Sequence, residues 1–187
     1  GFAYVLVFLG LEALARDRWN RAWLCLGVAA AFHVLVGGWA TVAAGFLWLW
    51  LGGRRPPLRS MLPGLAAGFA FSLFGLVPSL LLDWGVDAQT LRQAHEIYVF
   101  KRLAHHLVFY RFPLVMIFRF SALVGAFAIL SRAVKDDQGA ALRIRGFVIG
   151  SLAIALAGAA LSPLGLLDPE MAAGLLRYYW FRLSDAA

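Results

Sequence analysis

Met61-Leu62-Pro63-Gly64-Leu65-Ala66-Ala67-Gly68-Phe69-Ala70-Phe71-Ser72-Leu73-Phe74-Gly75-Leu76-Val77-Pro78-Ser79-Leu80-Leu81-Leu82 contains no charged side chain. Roughly 20 apolar residues suffice for a helix to cross the hydrocarbon core of a bilayer. Ala22 to Gly53 is equally free of charge. Both runs are apolar on all sides, whereas a membrane strand alternates over about 10 residues. In lipid the backbone must satisfy its own hydrogen bonds, so these runs predict helices. The whole chain agrees, with 62% hydrophobic and 14% charged residues and a mean hydropathy of +0.77. Soluble domains carry roughly 25% charge, so that class is excluded.

Working outward, six membrane segments are expected at about 1-15, 22-36, 38-52, 61-82, 112-131 and 147-166, with outer segments at 83-111 and 168-187. The expected fold is all-α: one membrane domain over 1-187, a polytopic transmembrane helix bundle with a short helical hairpin and an outer interfacial helix. Gly1 falls inside an apolar run with neither a Met nor a basic region before it, so a fragment of a longer protein is expected. The lone Cys25 offers neither a disulfide framework nor a cysteine metal site.

The net charge of +7 is explained by where the charges fall and calls for no nucleic acid partner. Arg16, Arg18, Arg21, Arg54, Arg55, Arg59, Arg132, Lys135, Arg143 and Arg145 are ten of the seventeen basic residues and share their loops with only Asp17, Asp136 and Asp137. Lys and Arg mark cytoplasmic loops, so 16-21, 52-60 and 132-146 are expected on the cytoplasmic side of a bacterial inner (plasma) membrane. The stretch 22-53 then has to go out and return. Its halves of about 15 residues make helices of only about 22 Å, which predicts a tight turn at His33 to Gly38 helped by the pair Gly37-Gly38. One long tilted helix is the alternative.

The segment from Asp83 to Phe112 is too long for a simple turn. On a regular helix His95, Tyr98, Arg102, His105, His106 and Phe109 fall within a sector of roughly 100°, opposite Ile97, Phe100, Ala104, Leu107 and Val108. Such a helix lies on the membrane surface with its polar side toward a cavity, or serves as a plain interfacial anchor. Arg binds phosphate through paired hydrogen bonds and His donates or relays a proton, so the sector reads as a phosphate or pyrophosphate clamp. A zinc site is the rival reading of the same histidines. Neighbouring His105 and His106 would diverge by about 100° on a helix, and no HExxH accompanies them. No metal ligand is assigned.

Arg119, inside the fifth segment, and His33, at the turn, are ionisable groups at membrane depth, where such groups line wet cavities or snorkel to the headgroups. Asp168-Pro169-Glu170 marks a helix start. The run Arg177-Tyr178-Tyr179-Trp180-Phe181-Arg182-Leu183-Ser184-Asp185 follows, reading either as an interfacial aromatic belt or as Arg177, Arg182 and Asp185 reaching the same outer cavity. No P-loop, GxGxxG or Ser-His-Asp pattern is present.

Arg16-Asp17-Arg18-Trp19 through Phe32-His33-Val34-Leu35-Val36-Gly37-Gly38-Trp39 resembles the paired short helices of C-type membrane glycosyltransferases. Arg102-Leu103-Ala104-His105-His106-Leu107 and the run from Arg177 to Asp185 are similar to an uncharacterised bacterial polytopic membrane family of related architecture. The resemblance implies transfer of a sugar from a polyprenyl-phosphate carrier at the outer face, with basic residues holding the lipid phosphate. It places the catalytic acid in an early outer loop that this sequence does not contain, so no catalytic residue is assigned, and it leaves a divalent metal cofactor open. A transporter or lipid-binding protein using the same cavity without chemistry is the rival reading, and a structural subunit is a third.

Overall fold

The computed structural model describes residues 1–134 and 139–183, and every described element is helical. The α-helices are α1 (Phe2–Ala15), α2 (Trp19–Phe32), α3 (Val34–Trp50), α4 (Leu58–Leu81), α5 (Ala88–Glu96), α6 (Ala104–Leu107), α7 (Leu114–Ala133), α8 (Ala140–Leu161) and α9 (Pro169–Leu176). Three spans are long and apolar enough to cross a membrane: Leu58–Leu81, Leu114–Ala133 and Ala140–Leu166. Phe2–Ala15 and Val34–Trp50 are apolar but shorter. The chain divides into two compact units, one made of Gly1–Trp84, Asp136–Ala153 and Arg182–Ala187, the other of Gly85–Lys135 and Ile154–Phe181.

In the first unit α2 is the central helix. It runs antiparallel to α1, with Gly10 lying against Leu26 near the middle and the rings of Phe2 and Phe32 meeting at 4.7 Å at one end. Against α4 it runs parallel and closer still. A Cβ on Gly27 would fall on the backbone of Gly68, one on Gly64 on the backbone of Asn20, and one on Gly75 on the carbonyl of Ala30. Gly64 and Gly68 are spaced as in the small-residue motifs that let helices touch backbone to backbone. Of α4 only Met61, Gly64 and Gly68 are buried. Much of its remaining surface, including Phe69, Phe74 and Leu80, lies open.

The expected hairpin is present, and its turn falls at His33, the first residue of the expected stretch, without the glycine pair. Gly37 and Gly38 lie within α3, and the break is the single residue His33, extended at φ −154° and ψ 96°. Its Nδ1 accepts from the Val36 amide at 3.4 Å, so the imidazole takes the N-cap role of a Ser or Asp side chain. Gly37 permits close packing instead of a turn, since its missing Cβ makes room for the backbone of Ala29 and Ala30.

The basic turns of this unit gather at one end. Asp17 takes the left-handed conformation (φ 60°) just past α1, a position where Asp is among the few tolerated non-glycine residues. Arg143 donates from Nε to the Leu14 carbonyl at 2.7 Å and from Nη2 to that of Ala15 at 2.8 Å. It thereby satisfies the Ala15 carbonyl at the C-terminus of α1 and adds a second bond to that of Leu14, which the Asp17 amide already reaches at 3.0 Å, with the charge the helix dipole favours there. The Trp48 indole donates to the Pro56 carbonyl at 3.0 Å, and Pro56 lines one cleft together with Asp17, Arg18 and Arg21.

The second unit encloses Val99, Leu107, Val108, Ala172, Ala173 and Leu176. α7 buries none of its residues.

Candidate functional site

The sequence treats residues 95 to 109 as one regular helix, and the backbone departs from that. α5 passes at Ile97 into a π-helical turn ending at Arg102, closed by the Leu103 amide donating to the Tyr98 carbonyl at 3.0 Å. A π turn takes in an extra residue and so rotates every side chain beyond it. The chain leaves the helix at Leu103 (φ −126°, ψ 22°), makes the short α6, and extends at Val108. The predicted single sector therefore does not form. Leu107 and Val108 are buried as expected, while Ile97 is 51% exposed and Val99 takes the interior place.

Local chemistry fixes these pieces. The Asp87 carboxylate caps α5, accepting from the amides of Gln89 and Thr90 at 3.0 Å each. Hydrogen bonding to the Thr90 side chain, then to its amide, holds Asp87 below the usual carboxylate range. Asp168 does the same for α9, accepting from the Met171 amide at 3.0 Å. Buried Ser162 ties the turn after Val108 to the end of α8, accepting from the Phe109 amide and donating to the Gly158 carbonyl, both at 3.0 Å. No sequence signal singled out Ser162. An uncharged serine at the end of an apolar run looks like any other small residue until its partners are known.

The seam between α5 and the chain at and after α9 brings together two of the predicted groups. Arg177 Nη1 meets His95 Nε2. Arg is always a donor, so His95 accepts through Nε2. The other arm of Arg177 donates to the Tyr178 hydroxyl at 3.1 Å. Tyr98 meets Tyr179 edge to face at 6.3 Å, and Tyr179 itself has φ 51°, a costly conformation for an aromatic residue. Arg92 and Glu170 pair across the same seam at 3.2 Å with both side chains about half exposed, a geometry that contributes little stability.

The other predicted residues are placed differently. Arg102, His105 and His106 are exposed. His105 and His106 do not diverge: with α6 only four residues long, their rings lie 4.2 Å apart. Arg119 is exposed on α7. His33 and Arg182 belong to the first unit, where the Arg182 carbonyl accepts from the Tyr4 hydroxyl at 2.7 Å. Since α9 ends at Leu176 and turns follow, Arg182 is not on a helix, as an i,i+3 pairing with Asp185 requires; Asp185 lies outside the described residues. The aromatic run does not form a uniform belt. Trp180 packs on Gly158, and Phe181 meets Phe112 at 4.8 Å.

Among the described residues no three His, Cys, Asp or Glu side chains are grouped so as to hold a metal ion. No protein family, curated protein or solved structure matches the chain.

Proposed function

We propose that this chain belongs to a polytopic protein of the bacterial inner membrane that holds the phosphate of a polyprenyl-linked sugar at the outer face, as a C-type glycosyltransferase-like protein. The observation that carries the reading is the contact of Arg177 with His95 and Tyr178 in the second unit, a unit that also exposes Arg102. Guanidinium, imidazole and phenol there supply hydrogen-bond donors suited to a phosphate. Membrane residence is supported by the three long apolar spans. The gathering of the turns at 16-21 and 52-60 with Arg143 at one end of the first unit supports cytoplasmic loops there, and the charge count extends that reading to 132-146. The exposure of Arg102, His105 and His106 favours a second reading, a lipid-binding protein or transporter, because transfer chemistry gains from excluding water.

The test is retention of a polyprenyl phosphate by the purified chain, with lipids that co-purify identified by mass spectrometry. Hydrogen bonds to charged groups contribute about 1.5–3 kcal/mol, so Arg177→Ala or Arg102→Ala should lower retention roughly tenfold or more. Lys101→Ala should have much less effect. Equal losses for all three would reduce the site to general surface charge. Conversion of the polyprenyl-linked sugar to polyprenyl phosphate and a glycosylated acceptor would separate transferase from binder.

A further inference from the structure

In the first unit a cleft of about 410 Å³ opens between the α1–α2 turn and the start of α4. Arg18 and Arg21 form its basic side, and Met61, only 1% exposed, contributes to the lining. Asn20 and Ser60 also line it, but their polar groups are committed within the fold. Asp17, the one acid in the lining, accepts from the Trp19 indole at 2.8 Å and lies 3.7 Å from Arg143. Arg21 reaches Glu12 only at 3.7 Å and remains 46% exposed. Arg18 is exposed and meets no acid among the described residues. Arg54, Arg55 and Arg59 stand on the adjoining linker and first turn of α4, a stretch without an acidic residue. The cleft thus carries uncompensated positive charge.

Its surroundings are apolar. Leu58 and Leu62, one turn apart on α4, are each 52% exposed beside it, and they begin a helix long enough to span a bilayer. A free anion would make no use of that surface, whereas a phospholipid would set its phosphate between the arginines and its chains along α4. We propose that this cleft is a binding site for the headgroup of an anionic glycerophospholipid, held by Arg18 and Arg21. Basic pockets between membrane helices on the cytoplasmic side bind such headgroups. The proposal is independent of the phosphate reading of the second unit, because it uses other residues and another lipid.

The experiment titrates phosphatidylglycerol into the full chain in detergent and counts bound lipid by native mass spectrometry. Parallel arms use phosphatidylcholine with the same acyl chains and glycerophosphoglycerol without any. Phosphatidylglycerol should bind about tenfold tighter than either. Arg18→Gln should weaken it about tenfold, and Arg132→Gln, a basic change on α7, less than about twofold. Arg18 contributes to the fold through its backbone, bonded to Ala13 and Ala22, which the glutamine variant keeps, so that variant should fold; Arg21→Gln, checked by its melting temperature, is the second test. Equal binding of both lipids, equal effects of Arg18→Gln and Arg132→Gln, or headgroup alone binding as tightly as lipid would each overturn the proposal. Polyprenyl-phosphate retention should be unchanged in Arg18→Gln.

Discussion

The side-chain amide of Asn20 completes the helix of which Gly64 is part. Its Nδ2 donates to the Ser60 carbonyl at 2.8 Å, and its Oδ1 accepts from the Gly64 amide at 2.8 Å. An unbroken α-helix pairs those two backbone groups with each other. Pro63 stands between them, and proline inside a helix removes one bond and crowds the preceding turn. α2 therefore supplies from outside what the proline-containing turn of α4 needs.

Removing that amide should destabilise the first unit. A buried group left unsatisfied costs about 1–3 kcal/mol, but Asn20 is exposed and water can replace part of its bonding. Asn20→Ala should therefore cost about 1 kcal/mol, at the low end of that range. Thermal denaturation in detergent checks this, and an unchanged midpoint would mean that the bridge contributes nothing.

Two glycine substitutions should move stability in opposite directions. At Gly68 a methyl would meet the Trp23 carbonyl, and overpacking of this kind costs about 1–3 kcal/mol. At Gly45, within α3, nothing lies within 4 Å of the added carbon, so Gly45→Ala should gain up to about 1 kcal/mol of helix propensity. Comparing the two melting curves separates packing from propensity.

The cap on α5 should depend on acid in a predictable direction. Asp87 is lowered below its ordinary 3.8 by hydrogen bonds to Thr90 and Gln89. A depressed carboxyl contributes stability that is present above the unfolded value and lost as pH falls through the folded one. Amide exchange at Gln89 and Thr90, corrected for intrinsic rates, should stay slow down to about pH 4 and quicken below. Asp87→Asn, which caps without titrating, should abolish that change.

Orientation is open to chemical labelling because Cys25 is the chain's single cysteine. In a Cys25→Ser background, Gln93→Cys should react with an impermeant reagent on whole cells, and Gly53→Cys only after lysis. The reverse pattern would invert the proposed topology.

The long apolar spans were legible because a charge-free run of sufficient length admits few structures: the 61-82 reading corresponds to Leu58–Leu81, and 112-131 to Leu114–Ala133. The hairpin was legible in kind and in approximate place, but not in the residue that makes the break. Gly37-Gly38 has the composition of a turn, yet Gly37 serves a close contact with Ala29 and Ala30, and a capping histidine makes the break. The polar sector failed for another reason. Periodic reading assumes 3.6 residues per turn, and nothing in Ile97-Tyr98-Val99-Phe100-Lys101-Arg102 announces a π turn. The contact of His95 with Arg177 spans 82 positions, and the importance of Asn20 depends on a proline on another helix. Both depend on tertiary contacts that local periodicity does not encode.

The clasp of Arg143 on the end of α1 imposes an order on biosynthesis. Its two bonds join residues 129 and 128 positions apart. Ribosomes add about 5–20 residues per second, so the Leu14 and Ala15 carbonyls wait roughly 6–25 s before their arginine has been translated. Throughout that interval the first helices must hold their arrangement with the Leu14 carbonyl served by the Asp17 amide alone and that of Ala15 only by water, headgroups or the translocation machinery. The arginine arrives as a late lock, closing a structure whose first strokes were laid down more than a hundred residues earlier.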